Sequence, residues 1–372
     1  MTWDHARGID PMVATSRAYA AAHPGIEIHW EKRPLSAFES APLERLAREF
    51  DLMVIDHPHV GAAARGEYLL ALDQVGRSAE LAALESRSLG GSQASYAYGG
   101  RVWALAIDAS AQVAAIRPDL LGVAPRTWAE VAALARGGKV LWPLAPIHAL
   151  MSFFTLAANR GTPCATREDL LIDPADGAQV LDAMQVVASR LPPECLRMDP
   201  IEASERMAAG DDVALCPLLY AYVNYAREGF RRRRLKFADI PALGTQGPCG
   251  STLGGTGLAV SAHARAPQAA VDYAFWVASG PCQKGIYVEA GGQPAHPQAW
   301  EDERANRLTH GFFGDVRRTL DRSWVRPRYR GYLTFQREGG NLVHAFLSGR
   351  AGADQTLRAL DEAYRRSRAP AE

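Results

Sequence analysis

Asp4, His5 and Arg7 crowd one end of the chain, and Asp56, His57 and His59 form a second group further on. A carboxylate beside an imidazole is the pairing used for proton transfer, and two histidines one residue apart have a spacing seen among metal ligands. Metal-assisted hydrolysis would need a third and usually a fourth ligand and an open position for water. His148 could contribute, but nothing in the sequence places it there, so no metal site is assigned. Arg7, His5 and His57, with the N-terminus of a helix opening at Asp10-Pro11, would suit a carboxylate or phosphate. The competing reading of Arg7 is a salt bridge with Asp4 or Asp56.

Aromatic faces supply a different chemistry, stacking on the apolar face of a sugar or on a planar ligand. Trp3, Trp142 and Tyr220 are the expected stackers, followed by Tyr222, with core packing the alternative for each. Trp142 is expected to contact ligand and to matter little for folding. Gly254, Gly255 and Gln293 lie near expected chain crossings, Asp108 ends a strand entering one, and Arg326 and Tyr329 come from an arginine- and tyrosine-rich loop over Trp324–Tyr332. No P-loop, nucleophile elbow or dinucleotide fingerprint occurs. The glycines of Gly250–Gly257 precede a strand, which is the wrong order for pyrophosphate binding.

These residues owe their candidacy to the elements before them, because ligands of parallel α/β sheets sit beyond the carboxyl ends of strands. Ile26, Ile28 and Trp30 alternate with polar residues as in a strand, and Leu43, Leu46, Ala47 and Phe50 have helical spacing. Leu52–Ile55 reads as a strand buried on both faces of a parallel sheet, Arg101–Ile107 and Lys139–Trp142 as further strands, and Val213–Cys216 as another. Thr127 and Glu130 form a capping box for a helix over Trp128–Ala135. Helices follow near His148–Arg160, from Pro174, near Gln268–Ser279, over Gly339–Leu347 and over Gln355–Arg366. Gly250–Ser261, a run of small residues leading into a strand, reads as a return crossing between two lobes.

At 372 residues the chain exceeds the size at which one core keeps growing, so two α/β lobes are expected. Its 41 basic and 41 acidic side chains balance, which removes the footprint of a general nucleic-acid binder. The one dense basic run, Arg231–Arg234 with Lys236, is expected to be a solvated helix end. Five scattered cysteines without a Cys-x-x-Cys suit buried thiols. No apolar stretch reaches the length of a membrane span, and Met1–Gly8 is not a secretory signal.

The order of segments resembles the extracellular solute-binding proteins of ABC importers, in the carbohydrate-binding group related to maltose-binding protein. The resemblance is carried by Ala20–Ile28 with its His-Pro-Gly turn, Asp51–Asp56, Gly100–Asp108, Gly254–Ser261 and Gly291–Ala295, in the family's order and over nearly the whole chain. It implies an α/β, two-lobed periplasmic-binding-protein fold of type II with lobes joined by hinge crossings. One lobe would be 1–108 plus 253–312, the other 109–252 plus 313–372. It further implies a monomer that captures a small polar ligand, sugar-like or a small organic acid, between the lobes and presents it to the membrane subunits of an ABC importer. No cofactor, nucleic acid or membrane insertion is implied. Periplasmic location follows if a leader was removed, and cytoplasmic location otherwise. The alternatives are an enzyme on the same fold using Asp4, His5, Asp56, His57 and His59, and a cytoplasmic solute sensor.

Overall fold

The computed structural model describes residues 1–35 and 41–369. In chain order its main elements are β1 (Thr2–Trp3), α1 (Ala6–Ala22), β2 (Lys32–Arg33), α2 (Leu43–Glu49), β3 (Leu52–Asp56), β4 (Leu105–Ile116) and α3 (Trp128–Arg136). Then come α4 (Pro146–Arg160), α5 (Pro174–Ala188), β5 (Leu215–Tyr220), β6 (Lys236–Ala238), β7 (Leu253–Val260), α6 (Pro267–Ala278), α7 (Tyr332–Leu347) and α8 (Ala353–Arg368). The chain folds into two units, one of residues 1–110 and 254–314, the other of 111–253 and 315–372. It therefore passes between them after Ser110, Leu253 and Gly314.

In the first unit β7 lies between β3 and the start of β4. β3 and β7 run antiparallel, with Leu52 opposite Val260 and Asp56 opposite Thr256, where a parallel neighbour was expected of β3. Met53, Val54, Ile55, Leu258 and Ala259 are all buried on this sheet. The approach of β7 to β4 depends on Gly255, which sits at φ +90°, where a Cβ would stand 2.3 Å from the Asp108 carbonyl oxygen. Helix α1 packs its Thr15 and Ser16 hydroxyls on the Tyr273 hydroxyl of α6, at 2.8 and 3.2 Å.

Helix α1 starts earlier than its Asp10-Pro11 signal. His5, extended at φ −153° and ψ 151°, is its N-cap, and its imidazole Nδ1 accepts the Arg7 N–H. Pro11 thus falls inside the helix, where it withholds the N–H that would bond back to Arg7. The alternating Ile26–Trp30 stretch forms no ladder. Only Lys32 and Arg33 pair, with Thr2 and Trp3, and the Trp30 indole N–H is spent on Ser16 Oγ at 2.6 Å.

In the second unit β4 pairs with β5 from Gln112–Tyr220 to Ile116–Leu215, with an irregularity between Val113 and Ala115, and its end also pairs with β6. All twelve residues of β4 are buried. The expected strand over Lys139–Trp142 is reduced to a bridge from Val140 to Leu215. The Thr127–Glu130 capping box of α3 is complete. Helix α4 ends at Gly161, which takes φ 95°.

The second core gathers Trp128, Trp142, Phe153, Phe154, Leu215, Leu218, Phe335 and Tyr364. Helix α7 reaches the first turn of α4 through Gly340, where a Cβ would stand 2.7 Å from the Pro146 carbonyl oxygen. The arginine run is a bend and not a helix end. Arg231 pairs with Glu205, and Arg232 and Arg233 with Asp211, which also receives the buried Arg117. All five cysteines are buried and free.

Candidate functional site

Trp3 ends β1 and is buried, with the Arg7 guanidinium carbon 5.9 Å from its ring centre. Asp4 points to the surface, where it pairs with Lys32 at 2.8 Å. Arg7 grips the carboxylate of Asp108. Its Nε donates to Asp108 Oδ2 at 2.8 Å, and its Nη2 to Asp108 Oδ1, in a bidentate pair with almost no exposed surface. Burial pushes the Asp108 carboxyl up from its ordinary value, and the Arg7 guanidinium opposes this. The expected anion site at Arg7 is thus occupied by the protein's own carboxylate, and the helix expected to complete it starts at Ala6 and not at Asp10.

Asp56 ends β3 and caps a 3-10 turn over His57–His59, accepting the His57 N–H at 2.9 Å. His57 and His59 belong to this turn and not to a strand end, and both are buried. His57 meets Tyr96 edge to face at 6.3 Å. Among the described residues no three His, Cys, Asp or Glu side chains are placed to hold a metal ion. Gln293 serves the backbone next to Asp108, its side-chain amide donating to the Ala109 carbonyl at 2.8 Å while its main-chain carbonyl accepts the Ala109 N–H. Gly254 and Gly255 are half-buried at the start of β7.

In the second unit Trp142 is a core residue. It is 0% exposed, meets Trp128 edge to face at 5.2 Å and donates its indole N–H to Ser152 Oγ at 3.1 Å. The expectation that it is dispensable for folding is therefore corrected. Tyr222 is buried after β5. Tyr329 is held by the C-terminal helices, with its hydroxyl 2.7 Å from Ser367 Oγ and the Arg368 guanidinium 4.7 Å above its ring. Tyr220, at the end of β5, keeps a half-buried position and meets His148 edge to face at 6.5 Å. Arg326 is 4% exposed and donates to Gln336 Oε1 at 3.0 Å.

Away from the strand ends, a polar stripe runs along α4. His148, Ser152, Thr155 and Asn159 recur at helical spacing on one face of an otherwise apolar helix, and all four are buried. Ser152 Oγ accepts from Trp142 and from Gln112 Nε2. Thr155 Oγ1 donates to Gln112 Oε1 at 2.6 Å and meets Thr252 Oγ1 at 2.9 Å. Asn159 Oδ1 accepts the N–H groups of Leu243 and Gly244, and its amide donates to the Gly247 and Cys249 carbonyls. The stripe ends at His148, whose environment pushes it down to about 3, through burial first and the Arg326 charge second. It is a neutral imidazole at physiological pH.

No protein-family model matches the chain, and no curated protein matches its sequence. Solved structures do match its fold. Maltose-bound MalE3 of T. maritima superposes with a TM-score of 0.82 at 17% identity, covering 96% of this chain and 95% of that one. The GacH receptor of Streptomyces glaucescens, solved unliganded and with acarbose, gives 0.81 at 17% identity over 99% and 96% of the two chains. A solute-binding protein of an ABC transporter from Agrobacterium radiobacter K84, in complex with ribitol, gives 0.79 at 19% identity over 96% of each. The chain therefore has the α/β, two-lobed fold of the type II periplasmic binding proteins. The matching structures were solved with maltose, acarbose and ribitol among their ligands.

Proposed function

We propose that this chain is a solute-binding protein that captures a small polar ligand, a sugar, a polyol or a small organic acid, and presents it to an ABC importer. The observation that carries the reading is the full-length likeness to proteins seen holding maltose, acarbose and ribitol. Such a protein acts by binding one conformation better than another, so the ligand shifts an equilibrium between states and no covalent step is required. Residues 1–110 with 254–314 and 111–253 with 315–372 are the two lobes of this reading. Among the described residues no helix is long and apolar enough to cross a membrane, which suits a partner that docks on membrane subunits from the outside.

The histidine and carboxylate group considered for catalysis supports binding over reaction. His5 caps α1, Asp56 caps the turn after β3, and Asp4 pairs with Lys32 at the surface, so these groups serve the backbone and the solvent. Titration calorimetry of the dialysed protein against maltose, ribitol and simple organic acids tests the reading, alongside mass spectrometry of whatever co-purifies. Saturable binding of one class with unchanged ligand recovered afterwards is the expected result. Conversion of the bound compound, or no binding across the panel, would overturn it.

A further inference from the structure

Strand β1 runs between two backbones that extend past it. On one side Thr2 N–H donates to the Glu31 carbonyl and Asp4 N–H to that of Arg33, each at 2.8 Å. On the other, the Met1 nitrogen donates to the Leu52 carbonyl at 2.8 Å, and the Met1 carbonyl accepts the Val54 N–H at 3.0 Å. In line with β1 these backbones continue as Ile26–Trp30 and Glu49–Asp51, the two sides of a groove of about 490 Å³ that Ala269 and Ala270 of α6 also line.

Three observations point to what fits this groove. Ile26, Ile28 and Trp30 are half-buried and alternate with polar residues as a strand does. Among the described residues, nothing accepts the N–H of Glu31 or donates to the carbonyl of His29. In the observed parallel register, Thr2 opposite Lys32, those two groups are the ones that a residue opposite Trp30 would engage. Met1 itself is 2% exposed, and burial pushes its amino group down to about 5 from an ordinary value of 8.0. A peptide N–H at the same place would donate to Leu52 with no charge to bury.

We propose that the groove seats an extended strand of polypeptide joined to the Met1 nitrogen, parallel to β2 and β3 and in line with β1. At roughly 3.3 Å per residue, about four residues reach from Trp30 to Glu27. Side chains opposite Trp30 and Ile28 share their face and would be apolar. The intervening one lies opposite His29, with Glu27 and Glu31 diagonal to it, and suits lysine. This inference does not depend on the solute-capture reading.

The test compares the chain beginning at Met1 with one carrying Lys-Val-Lys-Val ahead of Met1. A third protein carries Lys-Pro-Lys-Pro there, so that the residue next to Met1 has no N–H for His29. The Lys-Val extension is expected to raise the melting temperature by about 2 °C or more and to slow amide exchange at Glu31 by about tenfold or more. The proline extension should do neither. Equal melting temperatures for all three proteins would overturn the proposal, as would exchange at Glu31 unaltered by the Lys-Val extension. An equal gain from the proline extension would also overturn it, since added residues would then stabilise without pairing in the groove. A Lys-Val extension that lowers the melting temperature would count against it in the same way.

Discussion

Arg7 and Asp108, 101 residues apart in the chain, meet in a bidentate ion pair that ties the first turn of α1 to the start of β4. Their side chains are 5% and 0% exposed, so neither charge has water to fall back on. Such a pair is weak evidence of net stabilisation against an apolar replacement, but removing one member strands the other.

Arg7→Met or Asp108→Asn alone is expected to cost about 3–5 kcal/mol of unfolding free energy. The double replacement should cost clearly less than the sum. Urea unfolding of the four proteins checks this as a double-mutant cycle, and additive losses would show that the two groups are not coupled.

Trp142 should behave as a packing residue. Trp142→Ala removes a fully buried indole and leaves Ser152 without its donor, so a loss of about 3–5 kcal/mol is expected. A melting temperature close to that of the unaltered protein would contradict the placement of this ring in the core.

His148 gives the second unit a pH dependence of known sign. Its imidazole is held down to about 3 in the folded chain, against an ordinary value of 6.5, so between these values the unfolded chain binds more protons. Stability is therefore complete above pH 6.5 and falls as the solution is acidified towards 3, by up to about 1.4 kcal/mol per pH unit from this group. His296, also held down by burial, adds a contribution of the same sign. Denaturant melts between pH 7 and pH 5 should show a shallower slope for His148→Gln than for the unaltered chain.

Gly340 allows α7 to lie against the first turn of α4. A methyl group there would stand 2.7 Å from the Pro146 carbonyl oxygen, and backbone cannot yield as a side chain can. Gly340→Ala should destabilise by about 1–3 kcal/mol despite its gain in helix propensity. A neutral or stabilising effect, read by thermal melting, would mean that the two helices separate at little cost.

Local signals were readable where they are self-contained. The Thr127–Glu130 capping box and the start of α5 at Pro174 both act within a few residues, and each appears as expected. Asp10-Pro11 carried the same signal and misled, because His5 offers its imidazole as a cap one turn earlier. Ile26–Trp30 has the alternation of a strand, but alternation alone does not supply a neighbour to pair with. The Arg7–Asp108 pair lay outside local reading because its partners are joined only by the tertiary fold. The stripe on α4 was legible in principle, as polar residues at helical spacing within an apolar run. What could not be read was which of its members the strands beside it would satisfy.

The bend that carries Arg231, Arg232 and Arg233 has its own acids folded against it, Glu205 and Asp211. A polyanion approaching this surface meets guanidiniums already engaged with carboxylates. The chain should accordingly run through a heparin column in dilute buffer, even though four consecutive arginines would suggest that it sticks.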